Sequence, residues 1–295
     1  WVDRYQLSGK KILEIGCGQG EFVTLLCETA GAEGVGIDPI LSPDRKPAGR
    51  VRFISDYYGP KYRDLPADFI CCRHTLEHIH QPLEFLRNIR AAIGQNTQAV
   101  VAFEVPDTLR VLRECAFWDL YFEHCSYFVP ETLAGTFELA GFKVLDQYRE
   151  FDDQYLMIDV QPAKPTDSHR WAFGDEIDRF QKRCSTYVSE WKQKFQSWKT
   201  QGKRVAIWGS GSKAVGFLTT LKIDDQTVPR VIDINPNKQG TFLPGTAQEI
   251  VAPTELVKYK PDVVIIMNPV YLREIGADLA RMGLHPEVMA LTGMG

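Results

Sequence analysis

The sequence has no excess of positive charge: 34 lysines and arginines stand against 38 aspartates and glutamates, a formal net charge of -4. Binding along a phosphate backbone calls for a basic face, so nucleic acid is not an expected partner. Long apolar runs are missing too. No stretch reaches the roughly 18 residues that would span a bilayer, and no basic-then-apolar leader opens the chain, so neither a membrane span nor a signal peptide is expected. Paired cysteine motifs are also absent. The seven cysteines fall at Cys17, Cys27, Cys115, Cys125 and Cys184, with one adjacent pair, Cys71 and Cys72, and no CxxC spacing. This excludes the usual zinc frameworks and reads as reduced, mostly buried thiols, with a cytoplasmic setting expected. The chain opens at Trp1, close upstream of a core-like strand, which leaves an additional N-terminal segment as an expectation.

What is present is enough apolar surface, 44% of 295 residues, to bury a sizeable core, and that length favours two domains over one. Lys10 to Ile15 is a short apolar run that ends in Gly16-Cys17-Gly18-Gln19-Gly20, followed by Phe22, Val23, Leu25 and Leu26 at helical spacing. This predicts a strand, a glycine turn and a helix. Further strands are predicted over Gly34 to Asp38, Val51 to Asp56, Asp68 to Cys72 and Ala99 to Val105, with a helix from Gln81 to Ile93. Glu131 to Leu145 predicts a helix stopped at Gly141 and then a strand, and Tyr155 to Val160 a last strand. Alternation of this kind implies an α/β fold with a mainly parallel, doubly wound sheet.

Prolines and small polar residues from Pro162 to Asp167 mark a boundary. Beyond it, Ile177, Phe180, Tyr187, Trp191, Phe195 and Trp198 predict an amphipathic connecting helix from Phe173 to about Lys199. A second glycine signature follows, with Arg204 to Trp208 as a strand, Gly209-Ser210-Gly211-Ser212-Lys213 as a turn and Val215 to Leu221 as a helix. The expected organisation is a first domain over 1–165, a connecting helix over 166–200 and a second Rossmann-like domain over 201–295.

In an open parallel sheet, ligands lie at the carboxyl ends of the strands, where glycine turns let backbone approach and helix N-termini present free N–H groups. The first glycine turn alone fits either a dinucleotide-dependent oxidoreductase or a methyl-transfer enzyme, and Asp38 suits the ribose acid of both. Glu14 inside the strand, Asp56 after the third strand and His74-Thr75-Leu76-Glu77-His78 after the fourth separate the two. With them the sequence resembles the class I S-adenosylmethionine-dependent methyltransferases. By that resemblance Asp38 binds the ribose hydroxyls and Asp56 the adenine amino group. Glu14, Gly16 and Gly18 then belong to the turn beside the methionine end, and the backbone near Cys72 and Arg73 lines the same moiety.

The densest group of chemically able side chains is Tyr121-Phe122-Glu123-His124-Cys125-Ser126-Tyr127-Phe128, after the fifth strand. Methyl transfer to carbon needs a base, and a histidine near its ordinary pKa of about 6.5 can serve. Glu123 could stabilise the charged ring, although neighbours on a regular strand point apart. His74, His78 and His80 form a second cluster, but no familiar metal spacing completes it, and no metal is expected. Together with Glu104-Val105-Pro106 and Asp233-x-Asn235-Pro236-x-Lys238-Gln239-Gly240-x-Phe242-Leu243-Pro244-Gly245, the Tyr121 to Phe128 motif resembles the sugar C-methyltransferases, over nearly the whole chain. The resemblance implies that His124 removes the proton alpha to the ketone of a nucleotide-linked ketosugar, with Tyr121, Glu123 and His78 positioning the sugar or stabilising its enolate. His74 and Tyr127 are further candidate acceptor contacts. The cysteine-rich zinc domain with which such enzymes usually begin has no counterpart in this chain, so the acceptor is the least defined part of the assignment.

In the second domain, Gly211, Ser212 and Lys213 join free N–H groups to a cation, a cradle for the diphosphate of a nucleotide-sugar. A second cofactor, or a fold used only for packing, fits the same turn. The expected partner is a small molecule, and the expected assembly a monomer or homodimer. O- or N-methylation of another small molecule, and a non-catalytic nucleotide-sugar-binding module, remain open alternatives.

Overall fold

Short apolar strands and the helices between them build two separate sheets in the computed structural model, which describes residues 1–42, 44–166 and 174–292. The first unit comprises Trp1–Leu109 and Glu123–Ala172, the second Arg110–Phe122 and Phe173–Gly295.

In the first unit the elements run β1 (Lys11–Ile15), α1 (Glu21–Ala30), β2 (Glu33–Ile37), β3 (Val51–Ile54), β4 (Phe69–Arg73), α2 (Pro82–Ile93) and β5 (Val100–Pro106). Helix α3 (Thr108–Glu114) leads away from it, and α4 (Pro130–Leu139), β6 (Phe142–Glu150) and β7 (Tyr155–Pro162) complete it. The strand order is β3-β2-β1-β4-β5-β7-β6. All neighbours are parallel except β7, which runs antiparallel to β5 and β6. The sheet is covered on both faces, so successive residues serve opposite cores. Ile12, Phe69 and Cys71 join one cluster, and Leu13, Ile70 and Cys72 the other. This two-sided burial explains why the strands read as nearly continuous apolar runs rather than as alternation.

The second unit contains α5 (Gly174–Thr200), β8 (Val205–Trp208), α6 (Ser212–Leu221), β9 (Arg230–Ile232), β10 (Glu249–Val251), α7 (Leu256–Tyr259), β11 (Val263–Ile266), α8 (Leu272–Arg281) and β12 (Glu287–Ala290). Its strands are parallel throughout, in the order β10-β9-β8-β11-β12.

The two contact units divide the chain differently from the expected domains. Within the span expected as the first domain, 1–165, the segment Arg110–Phe122 groups with the second unit. There Phe117 and Trp118 are buried beside Phe217, the Phe117 and Phe217 rings stacked with centroids 6.0 Å apart. Gly216 makes room for that segment, since a Cβ there would lie 2.8 Å from the carbonyl oxygen of Trp118. In α5 (Gly174–Thr200) the aromatic stripe packs: Trp191, Phe195 and Trp198 enter the second unit's core with Val205 and Phe217. Asp167 and Phe173, the expected edges of the boundary and of this helix, lie outside the described residues. Among the described residues no helix is long and apolar enough to cross a membrane.

Candidate functional site

At the carboxyl end of β1 the chain turns through three glycines in left-handed conformation, Gly16 (φ 74°), Gly18 (φ 57°) and Gly20 (φ 85°). They are not equivalent. A Cβ on Gly16 would sit 1.9 Å from Thr75 Oγ1 and one on Gly20 2.2 Å from the Phe53 ring, whereas one on Gly18 would meet nothing within 4 Å. The outer two glycines therefore serve packing, and Gly18 borders open space where a ligand can approach backbone. Asp38, buried just past β2, ties the turn down. Its Oδ2 accepts from the Gly18 N–H and its Oδ1 from the Ile40 N–H, both at 2.8 Å. A carboxylate has about four acceptor sites, so capacity remains for ribose hydroxyls.

Glu14 is buried inside β1 and solves a local problem. Gly20 stands at the N-cap of α1 without a side chain to cap it, and Glu14 Oε2 accepts the Val23 N–H at 3.0 Å instead. A strand carboxylate thus caps the helix and complements its dipole. Burial raises the Glu14 carboxyl to about 7, against the pull of Arg73. Asp56 follows β3 and is engaged by Lys61, the Tyr62 hydroxyl and the Tyr57 N–H; the Lys61 and Tyr62 contacts hold it below the ordinary carboxylate range. Cys72 is fully buried in β4, so only its backbone can face a ligand. The Arg73 guanidinium pairs with Glu104, Nε to Oε2 at 2.8 Å, and lies 4.1 Å above the Phe22 ring centroid.

After β4 the chain makes a short helical turn, Leu76–His78. The Glu77 carbonyl accepts from the N–H groups of Cys125 at 2.7 Å and Ser126 at 3.1 Å, which fastens the His124 loop to this turn. The His78 and His124 rings consequently meet edge to face, centroids 4.9 Å apart, and Tyr127 lies 6.0 Å from His124. The loop is not a strand, so the sequence argument about Glu123 and His124 pointing apart does not apply. The exposed Glu123 meets this group through its backbone: the His78 Nδ1–H donates to its carbonyl at 3.1 Å. Burial pushes His124 below its ordinary pKa, with Glu77 pulling the other way, so the ring is in its neutral, proton-accepting form near pH 7.

His74 has a different character. It sits at φ 48° with Nε2 2.6 Å from Glu104 Oε1 and Nδ1 3.6 Å from Glu77 Oε1. Burial alone would lower it, but the bonds to Glu104 and Glu77 raise it to about 9, so it is a cation at neutral pH. Glu104, which burial would raise, is brought down to about 2 by His74 and Arg73.

Tyr121 does not join His124 in one unit; it belongs to the second, where its hydroxyl donates to Asp119 Oδ1 at 2.8 Å. Three features of that unit meet at the carboxyl ends of β8, β9 and β11: the Gly209 to Gly211 turn, the N-terminus of α6, and a cavity of about 470 Å³ lined among others by Tyr121, Ser212, Lys213 and Asp233. Buried Asp119 gathers Lys213 Nζ (3.2 Å) and Arg110 (2.5 Å) around it. Burial lowers the Lys213 ammonium's pKa and Asp119 opposes that effect. Asp233, just past β9, ties its own loop to the glycine turn after β8, accepting from the Ser210 hydroxyl and from the Asn235 N–H at 2.9 Å.

Sequence reasoning brought Gly211, Ser212 and Lys213 to one place, and His78, His124 and Tyr127 to another. It missed Asp119 and Arg110, which carry no motif, and Glu77, which stood inside a quoted motif without a role.

The methyltransferase domain family matches residues 2–147, and the C-methyltransferase C-terminal domain family residues 172–284. The chain is 24% identical over 299 residues to the C-methyltransferase NovU of Streptomyces niveus, covering 93% of this chain and 70% of that protein. It is 27% identical over 119 residues to the mitochondrial ubiquinone biosynthesis O-methyltransferase of Schizosaccharomyces pombe, covering 34% of this chain and 40% of the other. A solved structure of the 1,6-didemethyltoxoflavin-N1-methyltransferase of Burkholderia thailandensis superposes with a TM-score of 0.43 at 17% identity, covering 55% of this chain and 75% of that one.

Proposed function

Because the chain belongs to the S-adenosylmethionine-dependent methyltransferases and carries their C-methyltransferase C-terminal domain, we propose that it methylates the carbon beside the keto group of a nucleotide-linked sugar, with His124 as general base. The cofactor supplies an electrophilic methyl group on a sulfonium, so what the protein must add is a nucleophile. The half-buried, neutral His124 ring carries the reading, because it can take a proton from a carbon acidified by a neighbouring ketone. His78, its own Nδ1–H directed to the Glu123 carbonyl, packs against that ring and orients it. His74 and Tyr127 are the further contacts proposed for the acceptor.

Gly16, Gly18 and Asp38 would hold the cofactor, with Asp56 at its adenine, the backbone of Cys72 and Arg73 along its methionine end, and Glu14 supporting the turn through α1. The open space at Gly18 supports that fit. For the second unit's cavity, taken by itself, we propose a nucleotide-sugar diphosphate as the ligand: the α6 N-terminus, Gly211, Ser212 and Lys213 offer it N–H donors and a cation, and Tyr121 contributes a wall.

The test is a His124→Ala variant assayed in deuterated water with a nucleotide-linked ketosugar. Wild type should release S-adenosylhomocysteine and exchange the proton alpha to the ketone, while the variant should bind the cofactor but do neither. Wild-type turnover in the variant would remove the proposed base, and turnover without any exchange would favour an oxygen or nitrogen acceptor.

A further inference from the structure

We propose that Glu77, His78 and His124 form a binding site for one divalent transition-metal ion, with zinc as the expected occupant. One potential ligand atom from each residue lies within 4.8 Å of the other two. Two imidazoles and a carboxylate suit zinc and leave a fourth position open.

Proximity alone would not make a site, but two further observations point to a cation. Glu77 is almost wholly buried, and its Oε2 accepts no hydrogen bond among the described residues. A buried carboxylate oxygen without a partner is costly, and a metal ion is a partner that would satisfy it. The other oxygen, Oε1, faces His74 Nδ1 at 3.6 Å, which orients the carboxylate. The second observation concerns His78. Its Nδ1 faces the Glu123 carbonyl, and a carbonyl can only accept, so Nδ1 carries the proton and the lone pair of the neutral ring resides on Nε2. A carbonyl holding the far nitrogen of a ligating histidine is the usual supporting arrangement around a bound metal.

The scaffold is tied together as well, since the Glu77 carbonyl holds the N–H groups of Cys125 and Ser126 beside His124. Metal–ligand bonds of 2.0–2.1 Å place tetrahedral ligand atoms about 3.4 Å apart. The trio therefore has to contract, by adjustment of the exposed His78 side chain. An ion at this position would engage the His124 ring. If His124 is the base proposed above, occupation blocks proton removal and zinc acts as a reversible inhibitor; ion binding itself does not rest on that reading.

The competing ligand set is Cys125, whose Sγ lies 3.9 Å from His80 Nε2. The test uses the full chain stripped with a chelator, then titrated with Zn²⁺ by calorimetry and with Co²⁺ by absorption, without substrate. Wild type should bind one equivalent tightly, with no thiolate-to-cobalt charge-transfer band. Glu77→Gln and His78→Asn should each weaken binding by at least about tenfold, and Cys125→Ser should not. Because His78 is exposed, His78→Asn gives a folded readout even if the Glu77 variant is unstable. Absence of binding in wild type, or binding lost in Cys125→Ser and kept in both other variants, would overturn the proposal. In a separate assay with S-adenosylmethionine and acceptor, undiminished methyl transfer by the zinc-loaded chain would refute the base role of His124 and leave the zinc site standing.

Discussion

Replacing Glu14 with glutamine should stabilise the protein above neutral pH and have little effect in acid. The carboxyl is buried in β1, where desolvation raises it from the ordinary 4.5 to about 7. A carboxyl raised on folding holds its proton more tightly in the native state. Its contribution to stability is therefore fully present below about 4.5 and is lost as pH rises through about 7. At 1.36 kcal/mol per pH unit, the interval between those two values corresponds to about 3 kcal/mol. Glutamine cannot ionise, and its amide oxygen can still accept the Val23 N–H that Glu14 Oε2 accepts at 3.0 Å. Urea unfolding of ligand-free wild type and Glu14→Gln should give similar stabilities near pH 4.5 and diverge in the variant's favour by roughly 2–3 kcal/mol at pH 8. Carbon-13 NMR of the Glu14 carboxyl should show titration near 7. Parallel stability profiles from pH 4.5 to 8, or a carboxyl that titrates near 4.5, would refute the reasoning.

Three further outcomes follow from the geometry. Gly18→Ala should fold, with the cost of about 1–2 kcal/mol expected for a left-handed alanine, yet bind S-adenosylmethionine at least about tenfold more weakly by calorimetry; Gly16→Ala, whose Cβ would collide with Thr75, should lose thermal stability as well. Gly216→Ala should destabilise the chain in a thermal melt although alanine is the better helix former by up to about 1 kcal/mol, because its Cβ would press on the Trp118 carbonyl. Lys213→Met should weaken binding of a nucleotide-linked sugar at least about tenfold by calorimetry and leave S-adenosylmethionine binding unchanged; equal affinities would remove the cation from the proposed diphosphate site.

Much of the proposed cofactor side was legible because its signals are local. The turn needs left-handed residues, and glycine supplies them at Gly16, Gly18 and Gly20. Asp38 stands at the end of the next strand in sequence, so the crossover brings it back beside the turn, where it accepts the Gly18 N–H. What local pattern could not show was how the three glycines differ: that depends on Thr75 and Phe53, residues of other elements. Nor did it show that Glu14 caps α1, a task assigned to it only because Gly20 has no side chain of its own.

The proposed acceptor side shows the opposite balance. Tyr121 and His124 are close in sequence and were expected to work as one group, but they fall in different units, because Phe117 and Trp118 draw their segment into the second core. Asp119 meets Lys213 across 94 positions of chain, and no spacing rule connects residues so far apart.

By itself, then, the sequence determined the alternation of strands and helices, both glycine turns and the acid beside the first. Each of these depends on hydrophobic period or on backbone conformation, which are properties of neighbouring residues. Only the tertiary structure decided which unit each segment joins, the cap supplied by Glu14, the contact of His78 with His124, and the buried oxygen of Glu77. These depend on burial and on partners brought from distant parts of the chain, where desolvation and packing set both position and charge.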